Sequence, residues 1–293
     1  MTDLSGVIQE LLESDTGVDA VRAISGGDIN EAYLVSLNDG RKIFLKVNSQ
    51  KNIRYFETEE IGLAAIRDTK TIRVPQVLKA GRAGGHACLA MEYLEAAPKK
   101  SDYWEHFGRQ LAAMHRADTS KFTPGGKYGF LTDNYIGAGE QINSVHGSWI
   151  TFFRKCRLEV QFLKAQHYFD AAGRRAMQRL LDCLDKYLIE PEYPSLLHGD
   201  LWGGNFVTGP DGYAWLIDPA VYVGAAEADL TMTELFGGFS PVFYDTCREC
   251  GTIMPGYEDR REIYNLYHLL NHLNLFGGGY YGAVMHTVRR YAG

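Results

Sequence analysis

The sequence predicts an α+β chain in two lobes, a small antiparallel-sheet N-lobe (residues 1–94) and a larger, mainly helical C-lobe (residues 95–293). Three observations carry this. Before residue 94 the chain alternates in short strand-like runs broken by turn signals. After it, long segments follow a helical apolar period. A loop-and-short-strand stretch, 196–218, interrupts those helices and concentrates polar residues. At 293 residues the chain can bury a core spanning both parts.

Taken in order, residues 4–14 read as a short amphipathic helix, with Leu4, Ile8, Leu11 and Leu12 on one face. Val18 to Ser25 is an expected strand, followed by the turn Gly26-Gly27-Asp28-Ile29-Asn30. Glu31 to Leu37 alternates as a second strand, Asn38-Asp39-Gly40 is a hairpin signal, and Lys42 to Val47 is the return strand. Residues 53–68 read as a helix. Val74 to Leu78 and Ala87 to Met91 read as two more strands, joined by a Gly-rich turn at 81–85. Helices are expected at 102–116, 147–170, 172–188, 227–238, 241–250, 258–275 and 282–291.

The formal charge of −6, without a basic run, argues against a nucleic-acid or anionic-membrane partner. No apolar run reaches the roughly 18–20 residues a membrane span needs, and Met1-Thr2-Asp3 begins no signal peptide, so a cytoplasmic location is expected. Five scattered cysteines suit reduced thiols rather than a disulfide framework. Cys247-Arg248-Glu249-Cys250 lacks the further ligands a zinc site needs.

Chemistry enters at His198-Gly199-Asp200-Leu201-Trp202-Gly203-Gly204-Asn205 and at Leu216-Ile217-Asp218-Pro219. Kinase catalytic loops read H-R-D-x-x-x-x-N, with a metal-binding Asp on a later strand. Asp200, Asn205 and Asp218 reproduce that order and the Asp-to-Asn spacing, as phosphoryl transfer from a nucleotide requires. Asp200 is the candidate base, and Asn205 and Asp218 are the candidate metal ligands. The expected architecture is therefore protein-kinase-like, with ATP and Mg2+ as cofactors. Gly199 stands where protein kinases carry an Arg that grips a phosphorylated activation segment, which favours a small acceptor over a protein hydroxyl. Trp202 is expected near that acceptor, where its ring can pack on a sugar or organic group.

The N-lobe supplies the nucleotide's other contacts. In the first hairpin Gly26, Gly27 and Asp28 offer a glycine-containing turn whose N–H groups can approach phosphate oxygens. Lys46 shares a strand face with Phe44 and is expected to point into the interlobe cleft. Its carboxylate partner is expected on the following helix, Glu59 first and Glu57 next. Glu92, Tyr93 and Leu94, by position, would form the hinge against the adenine edge.

These residues resemble the fructosamine kinase (ketosamine-3-kinase) family, within the aminoglycoside-phosphotransferase and protein-kinase-like fold. The resemblance covers residues 4–291. It rests on Gly26 to Tyr33, Asp133-Asn134-Tyr135-Ile136-Gly137, Trp149 with Phe152-Phe153 and Arg157-Leu158, and His198 to Trp202. It continues through Ile217 to Tyr222, Glu227 to Leu230, Met232 to Phe239, and Tyr264 to Gly277. It implies ATP- and Mg2+-dependent phosphorylation of the 3-hydroxyl of ketosamines, the sugar adducts of glycation, whose 3-phosphates then fall off, repairing the amine. It carries over Asp200 as base, Asn205 and Asp218 as metal ligands, Lys46 with Glu59 at the phosphates, and Glu92 to Leu94 at the adenine. The chain departs from the family at Gly203, where Ser is common, and near Ala225, where an acidic residue is common. Both bear on substrate choice.

Two rival functions share these residues: an aminoglycoside or other small-amine kinase, marked by an acidic acceptor cleft, and a catalytically silent nucleotide-binding module. His268 and His272 have metal-ligand spacing on a helix but lack an H-E-x-x-H pattern, so a polar structural helix is the preferred reading. His115 is read as a cap or core contact, and Tyr280-Tyr281 as packing for the last helix.

Overall fold

The computed structural model describes residues 4–24 and 29–292. Helix α1 (Leu4–Leu12) precedes five strands, β1 (Val18–Ile24), β2 (Glu31–Leu37), β3 (Lys42–Ser49), β4 (Val77–Ala83) and β5 (His86–Glu92). They form one antiparallel sheet in the order β1-β2-β3-β5-β4, and α2 (Ile53–Asp68) lies between β3 and β4 in sequence. The period-2 alternation of β3 decides its two faces. Ile43, Leu45 and Val47 enter a small core with Val7, Ile8 and Leu11 of α1, while Phe44 and Lys46 face the other way.

The strand expected at 74–78 is displaced. β4 runs Val77–Ala83, and the turn is the pair Gly84-Gly85, with φ of +53° and +78°. Gly81 reads locally as a turn residue, yet it is accommodated within the strand because Leu11 of α1 lies against it.

The C-terminal part begins with α3 (Tyr103–His115) and the short hairpin β6 (Asn134–Ile136) and β7 (Gly139–Gln141), for which the sequence reading has no counterpart. The helix expected at 147–170 is four pieces: α4 (Trp149–Phe152), a π-helical turn Phe153–Leu158, α5 (Glu159–Ala165) and a 3-10 turn Gln166–Tyr168. The π turn contains the fully buried Arg157, whose guanidinium lies 3.9 Å from the Tyr222 ring centroid and bonds Ile142 O and Asn143 Oδ1. Then come α6 (Ala171–Asp182), β8 (Ser195–Leu197), β9 (Phe206–Thr208), β10 (Ala214–Leu216) and β11 (Tyr222–Gly224). They are followed by α7 (Ala226–Leu235), α8 (Pro241–Glu249), α9 (Tyr257–Phe276) and α10 (Tyr281–Tyr291).

A second, larger core runs without interruption from Phe56 and Leu63 of α2 through Trp149, Phe152 and Tyr222 to Leu270 of α9. Helix α2 is thus anchored in the helical part while it carries the glutamate that meets β3. Cys247 is a buried core residue of α8, its thiol pushed up to about 12 by burial. No helix among the described residues is long and apolar enough to cross a membrane.

Candidate active site

Two short antiparallel strand pairs, one nested within the other along the chain, bring the chemistry together. β8 pairs with β11 and β9 with β10, so the loops 198–205 and 217–221 lie side by side. Backbone bonds tie them further: Ile217 N–H donates to Asn205 O (3.0 Å) and Ala220 N–H to His198 O (2.9 Å). His198 locks the pair. Its Nε2 donates to Ile217 O (2.8 Å), which leaves Nδ1 to accept the Asp200 N–H (3.3 Å), and burial lowers its pKa so that the ring stays neutral.

The loop is held from below by Asp229 of α7. Its carboxylate accepts the backbone N–H groups of His198 (2.7 Å) and Gly199 (2.8 Å), while His115 Nε2 lies 3.1 Å away. Burial alone would raise the Asp229 pKa, but the His115 bond and charge, with the backbone donors, hold it below the usual carboxylate range. His115, read from the sequence as a cap or core contact, is fully buried in this network. On the other side of the 217–221 loop, Asn134 Nδ2 donates to Val221 O (2.8 Å) and Gln141 Nε2 to Ala220 O (2.9 Å).

Gly199 has φ +81°, and a Cβ there would sit 2.0 Å from Ala220 O. The tight crossing of the two loops therefore demands glycine, whatever the residue's relation to a phosphorylated segment. Gly199→Ala is expected to destabilise the fold by about 2–5 kcal/mol, combining left-handed strain with a backbone clash. Chemical denaturation would measure this; wild-type stability would show that the loops can part without cost.

In the cleft, Lys46 Nζ lies 2.7 Å from Glu59 Oε1 and 2.5 Å from Asp218 Oδ1. The contact selects Glu59; Glu57 is exposed. Gly62, one turn beyond Glu59 on α2, allows the approach, because a Cβ there would meet Val221 Cγ2 at 3.1 Å and Pro219 Cγ at 3.4 Å. Burial would depress the lysine pKa, but the Asp218 and Glu59 carboxylates outweigh it and keep the ammonium charged. Burial and Asp218 push Glu59 up against the pull of Lys46. Asp218 itself adopts φ +53°, a left-handed conformation that costs a non-glycine residue about 1–3 kcal/mol and is typical of functional positions.

Asn205 Nδ2 donates to Asp200 O (2.7 Å) and Asp200 Oδ2 (2.9 Å), which turns its amide oxygen away from Asp200. Burial raises the Asp200 pKa to about 7, helped by Asp218 and Asp229 and opposed by the Asn205 bond.

Lys46, Glu59, Asp200, Asn205, Asp218 and Trp202 all line one cleft of about 970 Å³. Gly26, Gly27 and Asp28 lie outside the described residues. The cleft lining does not include Glu92, Tyr93 or Leu94. The Glu92 N–H donates to Gln76 O (2.9 Å) and that of Tyr93 to Lys42 O (3.3 Å). The Glu92 carboxylate accepts from Gln76 N–H (2.6 Å) in a separate depression with Arg73 and Trp215. The sequence reading also did not gather the cleft's aromatic wall, in which Tyr135, Phe236, Phe276 and Tyr280 join Trp202 from separate segments. His272 lines it too. Its Nδ1 is bonded to His268 O, and among the described residues no group of three or more His, Cys, Asp or Glu side chains is placed to hold a metal.

A five-stranded sheet delivering a carboxylate-paired lysine, set against a loop with Asp and Asn and a left-handed Asp, defines a protein-kinase-like phosphotransferase. The comparisons narrow that class. The fructosamine kinase family profile matches residues 1–292, so the chain belongs to the fructosamine kinase family, whose activity is ATP-dependent phosphorylation of ketosamines. It is 42% identical over 262 residues to a probable ketoamine kinase of Synechocystis, covering 88% of this chain and 85% of that one. It is 39% identical over 282 residues to a chloroplastic protein-ribulosamine 3-kinase of Oryza sativa subsp. indica, covering 94% and 80%. A crystal structure from Thermobifida fusca, assigned as a fructosamine-3-kinase, superposes with TM-score 0.84 at 30% identity, covering 99% and 98%. An aminoglycoside phosphotransferase bound to ADP and hygromycin B shares the fold at TM-score 0.67 and 17% identity.

Proposed function

We propose that the protein transfers the γ-phosphoryl group of ATP to the 3-hydroxyl of ketosamines, freeing glycated amines once the 3-phosphate is lost. The arrangement of Lys46, Glu59 and Asp218 opposite Asp200 and Asn205 in a single cleft carries this reading. Lys46 holds phosphate oxygens, aimed and kept charged by Glu59. Asp200 accepts the acceptor's hydroxyl hydrogen and orients its oxygen for in-line attack, and Asn205 fixes the Asp200 carboxylate.

The donors fit Mg2+. Asn205 keeps its amide oxygen uncommitted while its nitrogen is spent, and the Asp218 side chain is 46% exposed, so both offer the hard oxygens this ion takes. Mg2+ held by Asn205 and Asp218 would neutralise phosphate charge. The turn at Gly26, Gly27 and Asp28 and the segment Glu92 to Leu94 belong to the same reading as contacts to phosphate and adenine. So do the lobe boundary at residue 94 and a cytoplasmic location.

An aminoglycoside acceptor fits less well. Glu59, Asp200 and Asp218 are the acidic residues of the cleft, all engaged, while the opposite wall is aromatic. A silent nucleotide-binding module fits least, because Lys46, Asp200, Asn205 and Asp218 converge. The test is a panel of fructose-, ribulose- and erythrulose-amines plus aminoglycosides, incubated with ATP and Mg2+, with phosphate located by NMR. Phosphate at the ketose 3-position is expected. Transfer only to the antibiotics, or none at all, would overturn the proposal.

A further inference from the structure

His272 sits at the end of α9, half-buried, and lines the cleft that contains Asp200. Its Nδ1 lies 2.8 Å from His268 O. A carbonyl oxygen only accepts, so Nδ1 carries the proton, and a neutral ring then presents Nε2 as a bare lone pair. Burial lowers the His272 pKa and keeps the ring neutral at pH 7. Among the described residues no hydrogen bond satisfies Nε2.

Rings surround this acceptor. Phe236, Tyr280 and Phe276 have centroids 4.9, 5.1 and 5.4 Å from that of His272, and Trp202 meets Phe236 edge-on. Phe276 is 56% exposed and Trp202 and Phe236 are each 39% exposed, so a large apolar surface stands open beside the site. The cleft's carboxylates are already paired or hydrogen-bonded. A neutral acceptor set among aromatic faces suits one ammonium, which donates N–H to the lone pair and is attracted by the rings. It does not suit a polycation.

We infer that His272 Nε2 accepts the N–H of the protonated amine of a ketosamine, with the rings of Trp202, Phe236, Phe276 and Tyr280 walling that nitrogen, and so selects amine-linked over oxygen-linked ketoses. The inference rests on the ketosamine-kinase reading above.

The experiment compares a ketosamine with its ether isostere, in which oxygen replaces the amine nitrogen, on wild type, His272→Phe and His272→Gln. Wild type should prefer the amine in kcat/KM. His272→Phe keeps a packing ring but no acceptor. It should raise KM for the ketosamine on the order of 10- to 100-fold, with kcat and KM for ATP changed less than about twofold. On the ether it should behave as wild type. His272→Gln, whose amide oxygen reaches near the same point, should recover most of the amine preference. Phe276→Leu, at an exposed position, should also raise the ketosamine KM and guards against a folding failure of the His272 variants. An amine-over-ether preference unchanged in His272→Phe overturns the inference while leaving the kinase reading intact, and so does a loss confined to kcat. Phosphorylation of neither compound by wild type overturns both.

Discussion

Asp200→Asn is expected to lower turnover by a factor of about 10²–10⁴, the usual contribution of a positioned general base, while ATP binding stays within about twofold of wild type. The substitution keeps the volume and the contact with Asn205 and removes only proton acceptance. Single-turnover kinetics with a nucleotide titration would separate the two effects; wild-type turnover would remove Asp200 from its role. The raised pKa of Asp200, about 7, adds a pH signature. Because the carboxylate must be ionised to act, kcat/KM of the wild type should climb as pH rises through about 7, and the Asn variant should lack that limb.

The same shift has a stability consequence of defined sign. The folded protein keeps the Asp200 proton to higher pH than the unfolded chain, whose carboxylate ionises near 3.8. Between those values the unfolded state binds fewer protons, so this group costs stability as pH rises. Asp200→Asn is free of that cost. It should be more stable than wild type at pH 8 by about 1–3 kcal/mol, a full shift discounted for the solvent-facing side of the cleft. The advantage should vanish below about pH 4. A variant that is inactive and more stable at alkaline pH marks a site where burial serves chemistry rather than folding.

Asp229→Ala should be the most damaging change outside the reacting groups. It leaves the His198 and Gly199 N–H groups and the buried His115 without their acceptor. Loss of one partner from such a network costs about 3–5 kcal/mol, or a melting temperature lower by roughly 6–15 °C. The folded pKa of Asp229 is lowered, so its stabilisation is complete above the unfolded carboxylate range near pH 4 and disappears as pH falls through the folded value. Turnover should fall with stability, because the loop that carries Asp200 loses its floor. Thermal melts at pH 7 with matched kinetics below the transition would show it. An unchanged melt would mean that the β8–β11 pairing alone fixes the loop.

The residues that converge in the cleft are legible in the sequence because their pattern is local. Asp200 and Asn205 share one loop, Asp218 follows a short strand, and Lys46 is placed by strand alternation that survives any tertiary arrangement. Glu59 could be preferred over Glu57 because helical periodicity counts back from Leu63 toward the buried face. The strand at 74–78 was misplaced because turn propensity at Gly81 was overridden by contact with α1. The π turn at Arg157 was also invisible, since a helix pattern does not reveal that a buried guanidinium will stack on Tyr222 and bond a distant loop.

Asp229 and His115 lie 114 residues apart and meet only at the loop base. The sequence places Asp229 only within the family segment Glu227 to Leu230, with no role attached. The aromatic wall likewise draws Trp202, Phe236 and Phe276 from segments whose local patterns suggest packing. His272 illustrates the limit most clearly: the sequence favours a polar structural helix over a metal site there, and only the fold shows one ring nitrogen bonded to a backbone carbonyl while the ring lines the cleft.

The sequence by itself determined the α+β fold class and the family, and it put forward the candidate phosphoryl-transfer residues, because each is written in short spacings along the chain. Tertiary structure alone decided what supports those residues and what faces them: the Asp229 floor, the glycine-dependent crossing at Gly199, and the aromatic wall of the cleft. These depend on contacts between segments far apart in the chain, and burial then sets their charge states, which no local pattern encodes.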